Sequence, residues 1–414
     1  MDFGYSDRCN EMRARVQSFI DAHVIPRVPQ AKQELRGHTY PLSFMNDLRA
    51  LARSEGLWNM FLSRLHDDEP GTAMSNLDYA PIAEIMGRVE WGSEVFNCNA
   101  PDTGNMELLH MFATPEQKKQ WLAPMLNGDF HSAFAMTEPD VASSDATNIQ
   151  TSIRRDGNDY VINGRKWFIT NMARSDTRLI IVMGKTDTSA AAHRQQSMVL
   201  VPRDTPGVEV VRNITTLNHH STVGHCEVIF RDVRVPVSNL LGQEGGGFEM
   251  SQARLGPGRI HHCMRAIGQA ELALELMCER ARDRKAFGKH LYEHGSVADA
   301  IALSRIEIDQ ARLLVLRAAW LIDSVGAARA RKEISMIKAA VPSMLTRVAD
   351  RAIQVHGAMG VSPDTPLADI YTNGRTMRIV DGPDAVHLRV IARAELKDDG
   401  GDRRKRITNF VASR

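Results

Sequence analysis

Up to about residue 130, apolar positions recur at three- and four-residue steps, as in 42–56 and 79–89. That period lays them on one helix face, so this stretch reads as helices joined by short loops. Thr114-Pro115-Glu116 sets a hydroxyl cap ahead of a first-turn proline, which marks a helix start. From about 131 to 243 the pattern shifts to β-branched runs broken by Pro, Gly and Asp. Residues 151–155 and 159–163 flank Asp156-Gly157-Asn158 as a hairpin. Further strands are expected at 178–185, 196–202, 208–214 and 227–233, with 187–196 as a mobile loop. Beyond about 246 the helical period returns. Ala266, Ile267, Ala270, Leu274, Met277, Cys278 and Ala281 make one apolar stripe. Residues 297–325 carry apolar groups on most turns, which predicts burial in a bundle or across a subunit contact. The charged run 397–406 reads as a solvated end.

The order helical, β, helical predicts an α+β fold in three parts: 1–130, an antiparallel β domain at 131–245, and a helical bundle at 246–414. The chain of 414 residues is long enough for a large core. Its 43% apolar and 24% charged residues are ordinary for a soluble globular protein. A formal net charge of +1 gives no global field for nucleic acid or an anionic membrane. No apolar run reaches the ~20 residues that span a bilayer. Residues 1–20 carry six charges and no apolar h-region, which argues against a secretory signal. Cys9, Cys98, Cys226, Cys263 and Cys278 are scattered, without Cys-x-x-Cys. That argues against disulfides and zinc, and for a reducing, cytoplasmic compartment.

Two segments carry most of the chemistry. Phe134 to Ile149 is dense in short hydroxyl and acidic side chains around Pro139, a shaped, hydrogen-bonding loop. Asn163 to Asn171 is a strand that places aromatic and hydroxyl groups together. Side by side they suit a flat, polar-edged cofactor. No Gly-x-Gly-x-x-Gly follows a strand, so a Rossmann turn does not hold it. Gly245-Gly-Gly-Phe248 lacks the Gly-Lys-Ser/Thr of a P-loop. His219-His220 and His261-His262 are adjacent pairs, whose side chains diverge on a regular element, so no metal site is expected.

The chain resembles the acyl-CoA dehydrogenase family over essentially its whole length. The resemblance rests on Thr137-Glu-Pro139, Asn163-Gly164 with Phe168 to Thr170, Arg284-x-x-Phe287-Gly288, Gln354-x-x-Gly357 and the acid-glycine pair Asp381-Gly382. It implies an N-terminal helical domain, a middle β domain and a C-terminal four-helix bundle, with FAD between the last two. Thr137 then stands as a donor near the flavin pyrimidine, with Phe134 and Met136 beside it. Phe168 and Thr170 match positions that pack against and hydrogen-bond the isoalloxazine. Arg284 and Phe287 match contacts to the pyrophosphate and adenine of an FAD bound mainly to a neighbouring subunit. Gln354, Gly357 and Ala358 fall on the same contact, and Pro383 and Ala385 border the flavin. The FAD site is thereby completed across an interface, which implies a homodimer or homotetramer.

The resemblance also makes Asp381 the base that takes the α-proton of a thioester while hydride leaves the β-carbon. The family norm is Glu followed by Gly and a hydroxyl residue; here Asp is one methylene shorter and Pro383 replaces the hydroxyl. A base in a water-poor pocket predicts a raised pKa. Gly256, Pro257, Gly258, Arg259 and Gly382 are expected at the acyl-CoA, and Ser143 at the CoA or the FAD, although Pro257 could instead open a helix. The branch with Asp-Gly-Pro-Asp includes dehydrogenase domains fused to a kinase-like domain in animals. It implies medium-to-long acyl-CoAs, or hydroxyacyl-CoAs phosphorylated at position 4, with electrons passing to an electron-transfer flavoprotein. Alternatives are a flavin oxidase of the same fold, like nitroalkane oxidase, and a flavin-free, inactive relative.

Overall fold

The computed structural model describes residues 4–37, 41–219, 221, 223–397 and 400–410, without the side chains of 255–257 and 409. The chain opens with helices α1 (Asp7–Phe19), α2 (Val28–Arg36), α3 (Met45–Ser54), α4 (Asn76–Gly87), the short α5 (Gly92–Val95) and α6 (Asp102–Phe112). The one-turn α7 (Pro115–Gln117) and α8 (Ala123–Asn127) follow. Thr114 caps α7 in a capping box with Gln117, so the hydroxyl-proline signal marks a true start.

Strands β1 (His131–Ala135), β2 (Ser152–Asp156), β3 (Asp159–Thr170), β4 (Thr177–Lys185), β5 (Gln196–Pro202), β6 (Val208–Asn213), β7 (His225–Pro236) and β8 (Leu240–Leu241) form one sheet. Its order is β6-β7-β3-β2-β4-β5-β8, with β1 on β4. The hairpin β2–β3 turns at Gly157, as its sequence requires. The wholly antiparallel sheet expected from sequence needs one correction. β1 runs parallel to β4, and β2 touches β4 in parallel at Ser152–Lys185. The chain leaves β1 for a long loop and the β2–β3 hairpin before returning, so β4 meets β1 by a crossover and not a turn. Residues 187–196 are stitched by hydrogen bonds: Gln195 Nε2 donates to the carbonyls of Thr188 and Ala190 at 3.1 and 3.0 Å.

The C-terminal part holds α9 (Gly247–Asp283), α10 (Gly295–Val325), α11 (Arg331–His356), α12 (Leu367–Met377), α13 (Asp384–Glu395) and α14 (Asp402–Ile407). The two-residue strands β9 (Lys285–Ala286) and β10 (Lys289–His290) make a small hairpin after α9. No described helix is long and apolar enough to cross a membrane. One apolar core joins the N-terminal helices to α9, α10 and α11, and a second fills the sheet. α9 crosses α4 at close range. A Cβ on Gly268 would stand 2.0 Å from the Glu84 carbonyl, and one on Gly87 would stand 2.3 Å from that of Arg265. Only glycine permits that approach, which fixes where α9 presents its charged residues. α10 buries Ile308, Ala311, Val315 and Ala318, yet leaves Leu303, Ile306, Leu313 and Trp320 about half exposed.

Candidate active site

On the sheet side, the loop after β1 is clamped from below. Lys166, fully buried, donates to the carbonyls of Met136 and Met183 at 2.8 and 2.7 Å and to Glu138 at 2.9 Å. Burial pushes its ammonium down to about 8, against the pull of Glu138. Glu138 also accepts the N–H groups of Gln150 and Thr151 at 2.6 and 2.9 Å and the Thr151 hydroxyl at 2.6 Å. Those bonds and Lys166 hold the Glu138 carboxyl low despite its burial. The Ser143 hydroxyl accepts the Glu138 N–H at 2.8 Å and donates to its carbonyl at 3.2 Å, so Ser143 ties the loop to itself.

The loop is pinned to β3 as well. The Trp167 N–H donates to the Thr137 carbonyl at 3.0 Å, and the Thr137 hydroxyl donates to the Trp167 carbonyl at 2.6 Å. With that hydroxyl proton engaged, the Thr137 backbone N–H is the donor left to face a ligand. A register shift between Lys166 and Ile169 puts Phe168 at φ +53°, with its ring 41% exposed. A left-handed, outward-facing phenylalanine is costly unless something covers it. Thr170 Oγ1 lies 3.1 Å from Nδ1 of His225, which burial holds neutral, near pKa 4. An open aromatic ring flanked by hydrogen-bonding groups fits a planar heteroaromatic such as flavin.

The helical side assembles around Asp381, which sits at φ +54° in the turn before α13. Its carbonyl accepts from Arg259 Nε at 3.2 Å and from His387 Nε2 at 3.1 Å. Its N–H donates to no group among the described residues. Its carboxylate Oδ2 lies 3.4 Å from His262 Nε2. Gly382, at φ +101°, is required because a Cβ there would meet His387 Nε2 at 2.8 Å. Pro383 is the N-cap of α13, Ala385 is exposed in its first turn, and Asp384 accepts from Arg378 Nε at 2.7 Å. Burial pushes the Asp381 carboxyl up, but His262, Arg254, Arg259 and Lys338 together hold it below the usual carboxylate value. The raised value expected from sequence is therefore corrected for the ligand-free chain. The cations come from α9 and α11, far from the motif that identified the acid.

Arg254 joins the two sides. Its guanidinium stacks 4.2 Å from the Phe134 ring, and its Nε donates to Asn105 Oδ1 at 3.0 Å. Among the described residues it forms no ion pair. Glu107, nearby on α6, is buried with Oε2 unpartnered. Burial raises it to about 8 against the pull of Arg254 and Arg64, so it is mostly protonated at neutral pH. Sequence inspection met Arg254 only as the first residue of Arg254-Leu-Gly-Pro-Gly-Arg259, without a role, and missed His262, Lys338 and His387. Only the helical phase of 254–265 offered a signal, since Arg254, Arg259 and His262 follow steps of five and three.

Residues 254–259 lie inside α9 and not at its start, so Pro257 does not open a helix. The side chains of Gly256 and Pro257 fall outside the described residues. Gly258 has open space where a Cβ would be. His261 turns into the core against Tyr79, ring centroids 4.9 Å apart, while His262 turns to Asp381; the pair diverges. His220 falls outside the described residues. Elsewhere, His66, Glu69 and His110 bring potential ligand atoms within 4.8 Å of one another. There Glu69 accepts the backbone N–H of His66 at 2.9 Å and lies 3.3 Å from Nε2 of His110, whose pKa burial lowers.

The remaining expected contacts stand apart. Arg284 caps the C-terminus of α9 and is exposed. Phe287 is 96% exposed at φ +51°. Gln354, Gly357 and Ala358 are exposed at the end of α11. None shares a hydrogen bond or ring contact with Thr137, Phe168 or Thr170 among the described residues.

Three family models match in succession: acyl-CoA dehydrogenase N-terminal domain at 6–129, middle domain at 133–233 and C-terminal domain at 245–396. FadE2 of Mycobacterium tuberculosis, named as an acyl-CoA dehydrogenase, is 55% identical over 402 residues, 96% of this chain and 97% of its own. Mouse acyl-CoA dehydrogenase family member 11 is 50% identical over 408 residues, 96% of this chain but 51% of its own. The chain thus spans about half the length of that relative. A solved acyl-CoA dehydrogenase structure from Mycobacterium abscessus superposes with TM-score 0.91 at 49% identity, covering 95% of this chain and 99% of that one.

Proposed function

The chain belongs to the acyl-CoA dehydrogenase family, and we propose that it binds FAD and uses Asp381 to remove the α-proton of an acyl-CoA thioester. The observation that carries this reading is the Asp381 turn. Its carbonyl is pinned by Arg259 and His387, its N–H is unengaged, and its carboxylate is kept ionised by three fixed cations. An ionised carboxylate can accept a proton, and a free N–H can steady the charge that grows on the thioester oxygen. FAD, when bound, supplies the hydride acceptor. The Thr137 N–H, the Phe168 ring and Thr170 would hold its ring system. Arg284, Phe287, Gln354, Gly357 and Ala358 would serve an FAD held mainly by a second copy of the chain. The half-exposed apolar face of α10 supports a dimer or tetramer, readable by light scattering.

Asp381→Asn keeps the shape and the N–H but cannot take a proton. Acyl-CoA binding should persist while anaerobic bleaching of the flavin slows by at least ~100-fold. Bleaching at the wild-type rate would move the base elsewhere, with Asp384 the next acid to test. Arg284→Ala should lower FAD retention, since a charge-assisted bond to a pyrophosphate is worth roughly 1.5–3 kcal/mol.

The substrate reading rests on Arg254. A cation without a carboxylate partner, between Phe134 and Asp381, favours an acyl chain bearing a polar or anionic group. A hydroxyacyl-CoA phosphorylated at position 4 has that character. Faster flavin reduction by the 4-phosphorylated ester than by the plain acyl-CoA of equal length would support this. The reverse order would assign the protein to plain medium or long chains. Reoxidation by an electron-transfer flavoprotein, and slow reaction with oxygen, would separate a dehydrogenase from an oxidase.

A further inference from the structure

We infer that His262 is a positioning residue for the acid: its neutral ring donates Nε2–H to Asp381 Oδ2 and leaves the other carboxylate oxygen to receive the substrate's α-proton. The inference rests on the reading of Asp381 as the base. It begins from the other ring nitrogen. Arg265 Nη2 lies 3.2 Å from His262 Nδ1, and arginine only donates, so Nδ1 accepts. The proton of the neutral imidazole must then sit on Nε2, the atom that faces Asp381 at 3.4 Å. Arg265 is itself anchored, its Nη1 donating to the Cys98 carbonyl at 3.3 Å. A chain of donors thus runs from the α4–α9 crossing to the carboxylate.

The ring stays neutral. Burial and Arg265 push its pKa down to about 4, with Asp381 pulling the other way and Lys338 and Arg254 adding to the push. A neutral donor orients the acid without becoming a rival proton source. The 3.4 Å separation is long for a hydrogen bond, as catalytic contacts often are before substrate binds.

The need for such a device follows from the side chain. The main chain of Asp381 is fixed by Arg259 and His387, but those two bonds leave χ1 and χ2 free to turn the carboxylate. The cations that face it, Arg254 and Arg259 on α9 and Lys338 on α11, set charge but make no described hydrogen bond to its oxygens. His387 on α13 reaches only the carbonyl. Among the described residues, His262 is the one that brings a side-chain nitrogen within 4.0 Å of an Asp381 carboxylate oxygen, at 3.4 Å, and a small turn of either side chain would close that gap to a hydrogen bond. In the step itself the α C–H bond breaks, an O–H bond forms on the free oxygen, and the electron pair stays with the substrate. His262 keeps its proton throughout.

The test compares three variants of the FAD-loaded enzyme. His262→Phe keeps a planar ring and removes the donor. kcat for acyl-CoA should fall ~10–100-fold with KM within about threefold. The acidic limb of the kcat profile should move to higher pH, because the carboxylate loses a bond that favours its charged form. His262→Gln restores a donor of similar reach and should recover most of kcat and the wild-type limb. Arg265→Met releases the tautomer lock and should shift the limb the same way by less. If His262→Phe does not fold, the Gln and Met variants still decide. A limb and kcat unmoved in His262→Phe, or an equal loss in His262→Gln, overturns the inference. Failure of Asp381→Asn to slow reduction would sink the base reading instead, so the two outcomes separate.

Discussion

The two walls of the candidate site, the sheet side and the helical side, are built on opposite plans. On the sheet side, Lys166 and Glu138 are buried together, and every oxygen and ammonium proton between them has a nearby partner. On the helical side, Asp381 is half-buried among cations that set its charge from a distance, and His387 Nδ1 and Asp384 Oδ1 are left unpartnered. A completed buried network is rigid, which suits a platform for a flat ring. An uncompleted one holds its charge ready for a ligand, which suits the wall where bonds change. The first wall should therefore report in stability and the second in rate.

The largest expected effect tests the first half of that contrast. Lys166→Met strands the Glu138 carboxylate in a dry site, a loss of about 3–5 kcal/mol in unfolding free energy by denaturant titration. The double variant Lys166→Met, Glu138→Gln should regain much of it, because no charge is left unpaired. Equal loss in single and double variants would show that packing, and not charge pairing, holds the loop.

A smaller effect is expected on the helical side. Gly382→Ala puts a side chain at φ +101° and 2.8 Å from His387 Nε2. The strain is of order 1–3 kcal/mol. The ring of His387 must leave the Asp381 carbonyl, so flavin reduction should slow more than melting temperature or FAD content falls. A pure stability loss with an unchanged rate would erase the contrast between the walls.

The same contrast explains what could be read from the chain. The Thr137–Ser143 loop and the Phe168–Thr170 strand are each contiguous, and apart from Thr170, which reaches His225 on β7, their hydrogen-bond partners lie within about thirty residues along β1 to β4, so local composition carried them. The Thr114-Pro115 start and the Gly157 hairpin were legible for the same reason. Asp381 was legible through its glycine and the family pattern, but its surroundings were not. Arg254, His262 and Lys338 come from helices whose phase fixes their direction only after α9 is set against α4 at Gly87 and Gly268. Hence the sign of the Asp381 shift was misjudged: burial does push it up, yet the charge that outweighs burial comes from two separate helices, α9 and α11. The parallel pairing of β1 with β4 was hidden too, since strand runs do not reveal direction.

The smallest effect bears on whether Arg254 is uncompensated. After Asp381, Glu107 is the acid that pulls most on Arg254, and it is protonated up to about 8 in the folded chain against ~4.3 unfolded. The folded pKa is raised, so this group's contribution to stability is fully present below the unfolded value and is lost as pH rises from about 4.5 through 8. Glu107→Gln keeps the shape without the titration. Its stability should match wild type near pH 5 and exceed it at pH 8.5, by about 1–3 kcal/mol for a carboxyl whose charge is partly relieved by Arg254 and Arg64. If instead wild type and variant fall in parallel with pH, Glu107 is ionised in the fold. Arg254 would then have its carboxylate partner, and the helical wall would be closer to the sheet wall than the geometry indicates.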